Sequence, residues 1–178
     1  MKRFSILVGD ITQSDAEAIV NAANPTLLGG SGVDGAIHAA AGPGLLAECR
    51  TLGGCERGQA KLTAGHRLQA KYVLHTPGPI WRGGKEGEPV LLASCYRSCL
   101  ELAEAHGIRS LDFCSISTGV YGYPVPLAAT VALRAIMDFL AEHAMPERVR
   151  MICHSEQVAE IYRQTWNLWY AEDKEQRL

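Results

Sequence analysis

The chain carries no excess of basic charge. Its 17 lysines and arginines are outnumbered by 19 aspartates and glutamates, for a net charge of −2. A protein that grips a phosphate backbone shows a basic footprint, so nucleic acid is not expected as a main partner. The one small basic cluster, Arg148 and Arg150, alternates with Val149 and Met151 and reads as the solvent face of a strand. No apolar run approaches the ~20 residues of a membrane span, and no membrane association is expected. Met1-Lys2-Arg3 leads straight into an apolar stretch too short for a secretory h-region and cleavage site. The six cysteines, at 49, 55, 95, 99, 114 and 153, form no CxxC pair and no metal-ligand spacing. They are expected as reduced thiols of a cytoplasmic protein, mostly in the core, with Cys49 and Cys55 as candidates for the surface. No GxxxxGK followed by Ser or Thr occurs, which excludes a P-loop NTPase.

What is present is enough for one domain with one good core: 178 residues, 47% of them apolar. The chain is organised around Val20 to Gly42. A buried strand over Ala18–Ala22 breaks at Asn24-Pro25 and passes through Gly29-Gly30-Ser31-Gly32. It then enters an Ala-rich helix from about Gly35 to Ala41. A glycine-dense loop between a strand end and a helix start exposes backbone N–H groups to an anion. Asp34 in the mouth of that loop is out of place, because a carboxylate beside a phosphate is repelled by a few kcal/mol. Either it caps the helix or it does chemistry, and the two are compatible.

The remaining elements follow from pattern. Strands are expected at Phe4–Val8, Ala60–Ala64, Lys71–Thr76, Ser110–Phe113 and Arg148–Cys153. Helices are expected near Ser14, with Glu17 completing a capping box, and from Pro43 to about Leu52. Others run from Val90 to about His106, from Pro124 to about His143, and over Glu156–Tyr170, with a frayed tail beyond about residue 171. Pro77–Pro89 is a turn-rich loop. Alternating strands and helices without an internal repeat predict an α/β fold with a mainly parallel sheet and helices on both faces. Ligands in such folds bind at the carboxyl ends of the strands. Gly9–Thr12, Ala23–Asp34, Ser115–Tyr123 and Cys153-His154-Ser155 should therefore meet.

Gly30 to Gly35 matches GxGxxG, but it follows the second strand after a detour, and the region downstream, where a dinucleotide fingerprint has an acidic residue at a second strand end, is a helix and loop. Ser115 to Pro124 is a second candidate anion loop; alone it also suits an ordinary strand–helix turn. Two such loops in one small domain point to a diphosphate ligand. Asp10 can accept from an exocyclic amine, or serve as a cap. Ser31 has no neighbouring base that would make it a nucleophile. His75, inside a strand, is expected as a hydrogen-bonded core residue.

Taken together, these segments resemble the macrodomain family, in its MacroD-type branch. The resemblance rests on Gly9-Asp10-Ile11-Thr12, Val20-Asn21-Ala22-Ala23-Asn24, Gly32-Val33-Asp34-Gly35-Ala36-Ile37-His38, Tyr72-Val73-Leu74-His75-Thr76 and Ile116 to Pro124, in family order across nearly the whole chain. It implies a three-layer α/β/α domain with a central mixed, mainly parallel sheet that binds ADP-ribose. It also implies hydrolysis of ADP-ribosyl esters on acidic side chains, or of O-acetyl-ADP-ribose, with no cofactor and no metal. By position, Asp10 and Ile11 would hold the adenine. Gly32-Val33-Asp34 and Ser117-Thr118-Gly119-Val120-Tyr121 would grip the diphosphate, and Asn24 the distal ribose. Asp34 would act as general base, its pKa raised by the neighbouring phosphate charge. This chain departs from the family at Ser31, where glycine is usual, and at His154, where an aromatic ring is usual against the adenosine half. The alternatives carried from the same site are a module that reads ADP-ribose without turning it over, and a phosphatase of ADP-ribose 1″-phosphate.

Overall fold

Apolar strands separated by helical segments build a single mixed sheet. The computed structural model describes residues 3–176. Strands β1 (Phe4–Val8), β2 (Ala18–Ala23), β3 (Lys61–Ala64), β4 (Tyr72–Pro77), β5 (Ser110–Phe113) and β6 (Arg148–Cys153) lie in the order β1-β6-β5-β2-β4-β3. Neighbours are parallel except β3, which runs antiparallel to β4 at one edge. Val8 lies opposite Cys153 and Ala23 opposite Pro77, so the carboxyl ends of the parallel strands open on one side.

Helices α1 (Gly32–Ala41) and α2 (Pro43–Arg50) pack on each other and against β2 and β3. Helices α3 (Glu88–Ala105), α4 (Val125–Glu142) and α5 (Glu156–Gln176) form a second row, reaching β4 through α3 and β1 and β6 through α5. Between the two groups, Ile19 and Val20 of β2 and Val73 and Leu74 of β4 are completely buried, as strands covered on both faces must be. α3 forms because Leu92, Cys95, Tyr96, Cys99, Leu100 and Ala103 fall on one side at helical spacing. α4 does the same with Ala128, Ala132, Leu133, Ile136 and Leu140, and Pro126 fits its first turn, where no intrahelical N–H bond is lost. Each large side chain buried this way contributes about 1.5–3 kcal/mol. The expected three-layer α/β/α arrangement is present.

Several local expectations are corrected. No helix starts at Ser14. A 3-10 turn occupies Ile11–Gln13 instead, capped by Asp10, whose Oδ1 accepts from Thr12 N at 2.9 Å and Thr12 Oγ1 at 2.7 Å. Ser14 faces inward and donates to Asp112 Oδ2 at 2.6 Å. α1 begins at Gly32, three residues before its expected start. All six cysteines are free and buried, Cys49 and Cys55 included. Arg150 is not a solvent-face residue: it grips the buried Asp112 carboxylate through Nε at 2.7 Å and Nη2 at 2.8 Å. α5 runs on to Gln176, past the expected Tyr170 end, and the expected frayed tail lies partly outside the described residues.

Candidate active site

Two loops at the open end of the sheet make the site. The first runs from Asn24 to Ser31. Its start is braced by Asn24 itself: Oδ1 accepts from Thr26 N at 3.1 Å and Thr26 Oγ1 at 2.5 Å, while Nδ2 donates to Gly29 O at 2.8 Å. Its end folds back over the first turn of α1. A Cβ on Gly35 would stand 2.6 Å from Gly30 O, and a Cβ on Gly30 would stand 3.0 Å from Asp34 Oδ2 and 3.5 Å from Asn24 Nδ2. Only glycine permits so close an approach. Ser31 is different. Its φ of −99° and ψ of −177° are extended backbone that any residue adopts, so the Cβ it adds does not restrict the loop.

Asp34 lies inside the helix, in its first turn, and is 4% exposed. The helix-cap alternative falls, because the N-cap position belongs to Ser31 and the Asp34 carboxylate is used elsewhere. Its Oδ1 accepts from Asn21 Nδ2 at 2.8 Å and stands 3.4 Å from His38 Nε2. That second contact is at ion-pair distance but lacks hydrogen-bond geometry. Burial pushes the Asp34 carboxyl above its usual value, against the opposing effects of the Asn21 bond and of His38. The shift therefore comes from the protein itself. A carboxylate raised in this way is a better proton acceptor near neutral pH.

The second loop, Cys114 to Tyr123, is held from beneath by tyrosines. Tyr96 Oη accepts from Ile116 N at 3.1 Å, and Ser115 Oγ meets Tyr162 Oη at 2.7 Å. Thr118 Oγ1 turns back to Ser115 O and Oγ, at 3.0 and 2.9 Å, so its hydroxyl shapes the loop. Ser117 sits at φ 66°, an uncommon conformation outside glycine, with its Oγ buried and without a partner. Across the gap, Trp81 N donates to Tyr121 O at 2.9 Å, and the Arg57 guanidinium lies over the Tyr121 ring.

Between the loops runs a cleft. One end, about 210 Å³, is lined by Asn24, Gly30, Ser31, Asp34, Gly78, Ser117, Val120 and Tyr121. The other, about 560 Å³, is lined by Asp10, Ile11, Thr12, Thr118, Ile152 and His154. Gly32, Val33, Ser115 and Gly119 line both, which joins them into one elongated groove. Every site residue expected from the sequence lines this groove, with His154 at the Asp10 end. Ser115, expected within the second anion loop, also lines it; sequence reasoning missed Gly78, which lines it too, and Asn21, which orients Asp34 from behind. The signal for Asn21 was there: a carboxamide in an otherwise apolar strand must find a buried partner. Among the described residues, no group of three or more His, Cys, Asp or Glu side chains is placed to hold a metal ion.

Comparison with known proteins agrees with this geometry. Residues 20–132 match the family model described as Macro domain. An O-acetyl-ADP-ribose deacetylase of Salmonella gallinarum is 52% identical over 164 residues, covering 90% of this chain and 92% of its own. The Oceanobacillus iheyensis macrodomain, solved with ADP, superposes with a TM-score of 0.90 at 42% identity, covering 94% of this chain and 91% of that one. A Trypanosoma brucei macrodomain in complex with ADP-ribose gives 0.85 at 46% identity, covering 91% and 68%. Matched by the family model over residues 20–132 and by these relatives over most of its length, this chain belongs to the macro domain family.

Proposed function

We propose that this protein is an ADP-ribose-binding hydrolase. It cleaves O-acetyl-ADP-ribose, ADP-ribosyl esters on acidic side chains, or both, with Asp34 as general base. The observation that carries this reading is the Asp34 carboxylate: buried at the narrow end of a groove built for an anion, raised above its usual pKa, and not consumed in capping its helix. The adenosine half lies at the wide end beside Asp10, Ile11 and His154. The diphosphate passes between the N–H groups opening α1 and the Ser117–Tyr121 loop. The distal ribose reaches Asn24 and Asp34. Asn24 Nδ2 has two hydrogens; one holds Gly29 O, and the other is left for a ribose hydroxyl. A water held between Asp34 and the diphosphate gives its proton to the carboxylate and adds to the ester carbonyl. The ribose oxygen leaves and takes a proton, so ester and water become ADP-ribose and a carboxylic acid. Six buried, unpaired thiols support a reducing, cytoplasmic setting.

The test is incubation with O-acetyl-ADP-ribose and with a glutamate-linked ADP-ribosylated protein, scoring released ADP-ribose. Turnover of either supports the reading. Tight ADP-ribose binding without turnover makes the protein a reading module, and turnover of ADP-ribose 1″-phosphate alone makes it a phosphatase.

A further inference from the structure

Behind Asp34 lies a polar chain that the reaction above does not use. Asn21 on β2 stands opposite His75 on β4, and Thr63 on β3 faces the same imidazole; all three are completely buried. Asn21 Nδ2 is 2.8 Å from Asp34 Oδ1 and 3.1 Å from His75 Nδ1. His75 Nε2 is 2.9 Å from Thr63 Oγ1, with Cys49 Sγ farther off at 3.9 Å.

The donors and acceptors in this chain allow one arrangement. An ionised carboxylate only accepts, so Asn21 must turn its NH₂ group, not its oxygen, toward Asp34. The same group then directs its second hydrogen at His75 Nδ1, which must be the unprotonated nitrogen. The imidazole proton is therefore on Nε2, and Thr63 Oγ1 accepts it. This holds although Asn21 Oδ1 is left buried without a partner. Turning the amide over would set that oxygen against the carboxylate.

We infer that His75 is a positioning residue for Asp34. Its Nδ1 lone pair locks the Asn21 amide with a donor toward the carboxylate, and Thr63 accepts the Nε2 proton of the tautomer that keeps that lone pair free. Asp34 Oδ1 is thereby tied, which leaves Oδ2, the oxygen nearest Gly30, to face the ligand. Burial first, and then His38, push His75 down to about 3. It stays neutral, and its Nδ1 stays an acceptor, throughout the working range. The other ionisable groups facing the chain are His38 on α1, Cys49 on α2 and Cys114 after β5, while Glu48 acts on Cys49 but turns its carboxylate to Ala64 N and His66; burial holds the two thiols at about 11 and about 12.

The inference rests on Asp34 being the base. Nitrogen-15 NMR of the His75 ring reads the tautomer without reference to activity: a proton on Nε2 is expected from pH 6 to 8, and a proton on Nδ1 overturns the inference. Thr63→Val keeps the side-chain shape but removes the acceptor. It should lower kcat roughly tenfold and move the acid limb of the rate profile up by about one pH unit, because Asp34 loses a steady donor. ADP-ribose affinity should stay within about twofold. His75→Asn, which keeps an acceptor near Nδ1, should retain most of kcat, and His75→Gln, whose acceptor reaches toward Thr63 instead, should not. A folded Thr63→Val with unchanged kcat and acid limb overturns the inference, even where the His75 variants do not fold. Asp34→Ala in parallel separates the two readings. Retained turnover there removes the base itself, whereas an inactive Asp34→Ala beside an unaffected Thr63→Val removes only the role of His75.

Discussion

Gly78 and Ser117 approach so closely that no side chain fits between them. A Cβ on Gly78 would overlap Ser117 Oγ and stand 2.7 Å from Ile116 Cγ2. The end of β4 thus sets the position of the second loop, with Ser117 held in its left-handed conformation. Gly78→Ala must push that loop away. The expected result is a loss of about 1–3 kcal/mol in stability and weaker ADP-ribose binding, read by thermal denaturation and calorimetry. Unchanged affinity would mean the loop is not the ligand's partner.

Glu88, 2% exposed at the start of α3, organises the loop after Gly78. Its carboxylate accepts from Arg82 N at 3.0 Å and from Gly84 N and Glu86 N, each at 2.7 Å. Burial pushes the Glu88 carboxyl up, but the N–H donors together outweigh it and hold it below the usual value of 4.5. A carboxyl with a lowered folded pKa stabilises above its unfolded pKa, and that stabilisation is lost as pH falls through the folded one. Glu88→Gln should therefore be less stable than wild type at pH 7, with the gap closing below 4.5. Urea titrations across that range check it, and a gap that persists into acid would show the charge to be irrelevant.

Arg150, partly buried and also paired with the exposed Asp15, grips the buried Asp112 carboxylate, with side chains 16% and 1% exposed. Arg150→Met leaves the Asp112 carboxylate with Ser14 as its remaining side-chain partner. Removing one member of such a pair costs about 3–5 kcal/mol. Denaturant unfolding should show that loss, with ADP-ribose affinity kept in the folded fraction, since neither residue lines the groove.

His154 is an exposed residue at the wide end of the groove, beside Asp10 and Ile11. His154→Phe enlarges the apolar face offered to the adenosine half, at about 25 cal/mol per Å² of added burial. ADP-ribose should bind at least as tightly as to wild type. Weaker binding by calorimetry would contradict an apolar contact between this side chain and the adenosine half.

Much of this was legible in the chain. β1, β5 and β6 occupy the segments that their residue pattern predicts, Phe4–Val8, Ser110–Phe113 and Arg148–Cys153. Four strand exits converge because parallel strands share an open end, and that is why the groove residues could be named. The start of α1 was not legible: Gly32 and Gly35 have poor helix propensity, and the helix is kept there by loop closure and packing. The turn at Ile11 was hidden because Asp10 caps it from outside, while Ser14, which looked like a cap, is drawn inward by Asp112 on another strand. Cys49 and Cys55 looked exposed because their burial comes from residues distant in sequence, as with His75 beside Cys49, and leaves no local pattern. The Asn21–His75 contact depends on the β2–β4 register, a property of tertiary pairing that neither segment carries alone.

The central claim is that the Asp34 carboxylate takes the proton from the attacking water. Asp34→Asn keeps the size of the side chain and removes the base. Initial rates of O-acetyl-ADP-ribose hydrolysis should be measured for both proteins at saturating substrate, with ADP-ribose affinity by calorimetry on the same preparations. The account predicts a fall of about 10²–10⁴-fold in rate with affinity changed by no more than a few-fold. Near wild-type hydrolysis by a folded, ligand-binding Asp34→Asn would contradict it.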